Sequence, residues 1–211
     1  MSLEFAPVAL TLFVAIVYQF WRLRRLTTHI VALRQQCLEL QESRNLLLTH
    51  AYFDHLTGLA NRSLLEDRFR LAVERSKRSQ VPFALIMVDL NNFKPINDAH
   101  GHMAGDQVLV VIGKRLEKMV RGSDTVARFG GDEFVLIVEA LETRQELGSI
   151  GSKLIDMLGE RIALESGQTV SVGASIGFAV YPADGQDLNS MLNVADKAMY
   201  DCKTSGMMSL F

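Results

Sequence analysis

The segment that most restricts the fold is Arg128-Phe129-Gly130-Gly131-Asp132-Glu133-Phe134, in which two glycines and two adjacent carboxylates interrupt two apolar, strand-like runs, Thr125 to Phe129 and Phe134 to Val138. The pattern predicts a β-hairpin with acid at its tip. Gly130 and Gly131 suit the two-residue loop of a primed turn, in which both central residues take positive φ and a Cβ is disfavoured. Asp132 and Glu133 would repel each other unless a cation lies between them, and a hard divalent ion such as Mg²⁺ takes such oxygens. In isolation the segment also fits a solvated acidic turn.

A second acidic strand end lies upstream. The continuous apolar run Phe83 to Val88 reads as a buried strand, and Asp89 follows as it surfaces, either as a metal ligand or as a turn or cap residue. Beyond it, Pro95 to Asp106 is a polar stretch punctuated by glycine, ahead of an apolar-periodic helix from Val108 to Val120. Asn97 and Asp106 have the chemistry to read a nucleobase edge, because an amide offers donor and acceptor and a carboxylate accepts from paired N–H groups such as those of guanine. Turn formation is the competing use of such residues.

Further motifs accompany these in a fixed order: Asp54-His55-Leu56-Thr57-Gly58-Leu59-Ala60-Asn61-Arg62, Phe93-Lys94-Pro95-Ile96-Asn97-Asp98, Gly101-His102 with Gly105-Asp106, Ser175-Ile176-Gly177, and Ala195-Asp196-Lys197-Ala198-Met199-Tyr200. Together with the hairpin they make the chain, over roughly residues 52 to 208, resemble the GGDEF-domain diguanylate cyclases of bacterial signalling. The resemblance implies a nucleotidyl-cyclase, palm-like fold and condensation of two GTP into cyclic di-GMP plus two pyrophosphates, with Mg²⁺ (or Mn²⁺) as cofactor. It assigns Asp89 and Asp132 as carboxylate ligands and Leu90 as a carbonyl ligand. Glu133 stands in or beside the coordination sphere, and a role as general base is left open. Asn92 and Phe93 supply backbone N–H groups to the phosphates, Lys94 and Lys203 add charge, and Lys94 also faces the transition state. Asn97, His102 and Asp106 hold guanine. Arg121 and Asp124 match the family's inhibitory RxxD site for cyclic di-GMP, where Arg forks onto guanine O6 and N7 and Asp accepts from N1 and N2.

The order of the remaining elements agrees with an α/β domain. Helical periodicity over Ser63 to Arg78, Arg144 to Leu158 and Leu188 to Lys203, with strands at Phe83, at the hairpin and over Thr169 to Val180, predicts a mixed sheet flanked by helices. At 211 residues and 48% hydrophobic, the chain has room for one ordinary core and a smaller appendage. A net charge of −2 offers no general attraction for nucleic acid, so a nucleotide must be held by local groups and metal. Cys37 and Cys202 show no metal-ligand spacing and fit a reducing cytoplasm without structural disulfides.

The appendage begins with an uncharged, mostly apolar run from Phe5 to Trp21, at the short end of the about 17–25 residues a spanning helix needs. Arg22, Arg24 and Arg25 follow at once and place what comes next on the cytoplasmic side. Residues 1–21 are therefore expected to be a transmembrane helix, giving a single-pass protein of the inner (cytoplasmic) membrane. A buried helix of a larger protein is the alternative. Residues 22–51 carry Leu23, Leu26, Ile30, Leu33, Cys37, Leu40, Arg44, Leu47 and Ala51 at alternating three- and four-residue spacing, a heptad seam that predicts a parallel coiled coil and hence a homodimer, with a single amphipathic helix packed on its own domain as the alternative. Residues 52–211 form the catalytic domain. One domain binds one GTP, so two must face each other, and the coiled coil would raise their effective concentration.

Two positions depart from the family pattern. Asn91 replaces an acidic residue often found two positions after the first metal Asp, and Gly206 is followed by Met207 and Met208 where an arginine is expected to face phosphate. The second departure makes a non-catalytic receptor of GTP or cyclic di-GMP the competing function. Retention of Asp89, Lys94, Asp132 and Glu133 favours the enzyme, since a receptor needs no in-line metal site.

Overall fold

The computed structural model describes residues 5–141 and 143–205. Met207 and Met208 lie outside them. Two compact units divide between Thr49 and His50.

Helix α1 runs Phe5–Tyr52 without interruption. The seam residues Leu23, Leu26, Leu33, Cys37, Leu40 and Leu47 are all exposed along it. The transmembrane expectation for residues 1–21 is not supported, because among the described residues no helix is long and apolar enough to cross a membrane. Leu10 to Trp21 alone is shorter than the about 17 residues a span requires, and the side chains of Phe5 to Ala9 lie outside those described.

In the second unit, α2 (Arg62–Ser79) leads to β1 (Phe83–Asn91), α3 (Phe93–His100), α4 (His102–Met119) and the hairpin β2 (Thr125–Gly130) and β3 (Glu133–Val138). Then come α5 (Glu146–Leu158), the short strands β4 (Ile162–Ala163) and β5 (Thr169–Val170), β6 (Gly173–Tyr181) and α6 (Leu188–Ser205). The main sheet has the order β2-β3-β1-β6, and every neighbouring pair is antiparallel. The expected mixed sheet is thus corrected to an antiparallel one. Its only parallel element among the described residues is the isolated bridge Ala60–Ala127.

β1 reads as an unbroken apolar run because both of its faces are covered. Ala84, Ile86, Val88 and Leu90 join one core, shared with Val108, Ile112 and Leu116 of α4 and Leu147, Leu154 and Leu158 of α5. Phe83, Leu85 and Met87 face the other core, with Leu65, Phe69 and Ala72 of α2 and Met191, Ala195 and Met199 of α6. By the same alternation Asp89 and Asn91 lie on the α2/α6 face. Gly177 lets α6 settle on β6, since a Cβ there would collide with the Ala195 carbonyl oxygen and reach within 2.6 Å of the Met199 nitrogen.

Two expectations change in detail. The polar stretch from Pro95 to Asp106 is helical, split into α3 and α4 by Gly101 at φ 83°. Its apolar residues are few because α3 buries only Ile96. The strand expected over Thr169 to Val180 divides into β5, paired with β4, and β6, paired with β1.

Candidate active site

Antiparallel pairing brings one residue from each of three strands abreast at the open end of the sheet. Asp89 of β1 sits opposite Glu133 of β3 on one side and Ser175 of β6 on the other. The signature turn differs from the expected one. Gly130 pairs with Glu133, so the loop residues are Gly131 and Asp132, and only Gly131 has positive φ, at 49°. Positive φ at the first loop position alone is the pattern of a II′ rather than a I′ turn. A register shift between Arg128 and Gly130 absorbs the extra residue. Asp132 thereby sits at the tip, where its carbonyl accepts from the Leu90 N–H at 3.2 Å and ties the loop to the end of β1.

A second tie holds the tip from behind. Arg128 donates from Nε (3.1 Å) and Nη2 (2.9 Å) to the Gly131 carbonyl, while its Nη1 reaches both Asp54 oxygens at 3.1 and 3.2 Å. Asp54 also accepts from the Thr57 N–H (2.9 Å) and hydroxyl (2.7 Å). Burial works to raise the Asp54 carboxyl, but the Thr57 hydrogen bonds and the Arg128 guanidinium outweigh it and hold it below the ordinary carboxylate value. Both residues belong to sequence motifs, but this pairing is not visible there. Their separation by 74 positions left no local signal.

From the other side α6 contributes Asp196 and Lys203. Lys203 Nζ donates to Asp89 Oδ1 at 2.7 Å, so this lysine, expected at phosphate, is seated on an expected metal ligand. The hydrogen bond to Asp89 raises the lysine above its ordinary value, and the charges of Asp132 and Glu133 add to that. Burial, together with the charges of Asp89, Asp132 and Asp196, pushes Glu133 up, while Lys203 opposes the shift. A cluster that sets Asp89, Asp132 and Glu133 together and draws in the Lys203 ammonium is short of positive charge. Asp89, Asp132 and the Leu90 carbonyl are the oxygen donors a hard divalent cation takes, and Mg²⁺ retains enough waters for so few protein ligands to suffice. Among the described residues no three His, Cys, Asp or Glu side chains converge as a ready-made metal cage. Asn91, in the position where an acid was expected, accepts from the buried Ser175 hydroxyl at 2.9 Å and adds no charge to the cluster.

The turn from β1 into α3 is made by Asn92 in the left-handed region, φ 62°, which an asparagine tolerates better than most residues. It directs the chain straight into the first turn of α3, where the N–H groups of Phe93 and Lys94 have no helical partner and Pro95 has none to lose. Lys94 is exposed. One turn on, Asn97 lies against Gly105 of α4, so closely that a Cβ at Gly105 would collide with Asn97 Oδ1. Asp106 follows Gly105 directly and is exposed, as is His102 at the start of α4. The three expected guanine contacts thus share the α3/α4 corner.

Arg121 and Asp124 lie apart from this cluster, in the loop before β2. The Asp124 carboxylate is already engaged, accepting from the Arg121 N–H (2.9 Å) and the Glu139 N–H (3.1 Å), so it shapes the turn. Arg121 is exposed and lines a groove of about 730 Å³ together with Arg68 and Arg75 of α2.

Comparison with known proteins points to one family. Residues 51–209 match the family model described as diguanylate cyclase, GGDEF domain. Over 160 residues the chain is 41% identical to the bifunctional diguanylate cyclase/cyclic di-GMP phosphodiesterase MucR of Pseudomonas aeruginosa, covering 76% of this chain and 23% of that protein. It therefore spans less than a quarter of that relative's length. The solved structure of an N-terminally truncated TpbB (YfiN) from the same organism, comprising only its GGDEF domain, is 38% identical with a TM-score of 0.70, covering 72% of this chain and 89% of that one. A microbial GGDEF domain studied for its interaction with cyclic di-GMP is 36% identical with a TM-score of 0.65, covering 77% and 96%. With its fold, its hairpin and the order of its motifs all in agreement, the chain belongs to the GGDEF-domain family of diguanylate cyclases.

Proposed function

We propose that the domain from residue 52 onward is a catalytically competent diguanylate cyclase, acting as a homodimer on GTP with Mg²⁺ and inhibited by its product. The observation that carries this reading is the row of Asp89 and Glu133 across paired strands, with Asp132 at the adjoining tip and Lys203 facing them. In the reaction the 3′-oxygen of one GTP bonds to the α-phosphorus of the other, the bond to the pyrophosphate oxygen breaks, and the hydroxyl proton is lost. Repeating the step in the opposite sense closes the ring. Mg²⁺ held by Asp89, Asp132 and the Leu90 carbonyl would supply charge neutralisation and a lowered hydroxyl pKa. Backbone N–H groups of Asn92 and Phe93 would hold the β- and γ-phosphates at the start of α3, with Lys94 and Lys203 adding charge. Asn97, His102 and Asp106 would orient guanine, which fixes the ribose relative to the strand-end carboxylates. Glu133, abreast of Asp89 across the paired strands, would stand in or beside the coordination sphere.

The Arg121 groove, where Arg68 and Arg121 offer guanidinium groups to phosphate and guanine beside the Arg75–Glu139 ion pair, is the proposed inhibitory site. Pairing of two α1 helices through the exposed heptad seam would bring two domains together. Membrane attachment through residues 1–21 is tested by fractionation: recovery of the full chain in the soluble fraction argues against it. The receptor reading draws on the expected arginine being replaced by Met207 and on Lys203 resting on Asp89.

Incubating the purified chain with GTP and Mg²⁺, followed by chromatography, tests the main proposal. Cyclic di-GMP should accumulate, and Asp132→Asn should lower its rate by at least ~10²-fold with unchanged circular dichroism. No product from the wild type, with retained nucleotide binding, would favour the receptor.

A further inference from the structure

Lys203 Nζ, 2.7 Å from Asp89 Oδ1, occupies ground that the cyclase reading assigns to a divalent cation. The two side chains belong to different layers. Asp89 lies near the end of a central strand and is 15% exposed, whereas Lys203 lies near the end of α6 and is 50% exposed. The carboxylate is therefore held by the sheet, and the ammonium is the partner free to leave. The same residue is the cation α6 would offer to a triphosphate, and it cannot hold Asp89 and reach for phosphate at full strength in both places.

Resting on that reading, we propose that Lys203 is a built-in counter-ion which a divalent cation must displace from Asp89, so that metal binding itself frees the α6 ammonium for the nucleotide. Three consequences are physical. Without metal, the ion pair lowers the repulsion among Asp89, Asp132 and Glu133. With metal, two cations compete for the Asp89 carboxylate, and the doubly charged one, also bound by Asp132, wins. The released ammonium then has the triphosphate as its nearest alternative anion. Lys203 is here a positioning residue for metal order as well as a substrate contact, and the end of α6 reports whether the metal is present.

The test reads metal binding in the absence of nucleotide. Mn²⁺ affinity is measured by titration calorimetry or paramagnetic resonance on the full-length wild type, Lys203→Gln and Lys94→Gln. Removing the competitor should tighten Mn²⁺ binding about two- to fivefold in Lys203→Gln, a range set by a modest, partly exposed ion pair. Lys94→Gln, which removes an equal charge near the same strand end, should change it less than about twofold. Equal affinities in the wild type and Lys203→Gln would overturn this inference and leave the cyclase reading standing, whereas absence of Mn²⁺ binding in the wild type would overturn both. A measurement on the wild type alone guards against a misfolded variant: amide exchange over residues 196–203 should quicken when Mn²⁺ is added, and unchanged or slower exchange would also overturn the inference.

Discussion

Arg128→Ala should loosen the hairpin tip and destabilise the domain, and the structure sets the size of the effect. The substitution deletes two hydrogen bonds to the Gly131 carbonyl and the contacts to both Asp54 oxygens. Hydrogen bonds to charged groups contribute about 1.5–3 kcal/mol each, and removing one partner of a buried ion pair costs about 3–5 kcal/mol. The two side chains are 14% and 16% exposed. Residual hydration therefore discounts the total to about 2–3 kcal/mol, or about 5–10 °C in Tm for a domain of this size. Calorimetry of the full chain at neutral pH measures it. The effect carries a sign with pH. The folded Asp54 carboxyl lies below its ordinary 3.8, so its contribution is present above that value and is lost as pH falls through the folded value. The gap between wild type and variant should therefore narrow in acid. Arg128→Lys, which keeps the charge without the fork, should recover only part of the loss. A Tm for Arg128→Ala within about 1 °C of the wild type would refute the assignment of this pair as the support of the tip.

The remaining predictions concern packing and control. Gly177→Ala should cost about 3 kcal/mol and displace α6, because the new methyl meets the Ala195 carbonyl and the Met199 nitrogen. Guanidinium denaturation would reveal that loss, and an unchanged midpoint would show that α6 can shift freely. Arg121→Ala should leave the initial rate of cyclic di-GMP synthesis intact and raise the inhibitory concentration of added product roughly 5- to 150-fold, the value of one bidentate guanine contact. Unaltered inhibition would leave the Arg121–Asp124 segment as a turn only.

The hairpin, the buried β1 strand and the three long helices of the domain were legible in sequence because each follows from a local period or a local turn requirement. The candidate site positions came from the order of motifs that the family resemblance rests on. Their settings were not legible. Gly131, rather than the glycine pair, carries the positive φ, since a bulge after Arg128 shifted the turn by one residue. α3 escaped notice because a helix that buries only Ile96 leaves almost no apolar period to detect. Arg128 on Asp54, Lys203 on Asp89 and Ser175 on Asn91 join residues 74, 114 and 84 positions apart. The sequence by itself determined which carboxylates and cations are available and which strand or helix carries each, because alternation and periodicity act over a few residues. Only the tertiary structure decided which of these charges neutralise one another, because strand register and the seating of α6 on Gly177 set the distances on which electrostatics depends.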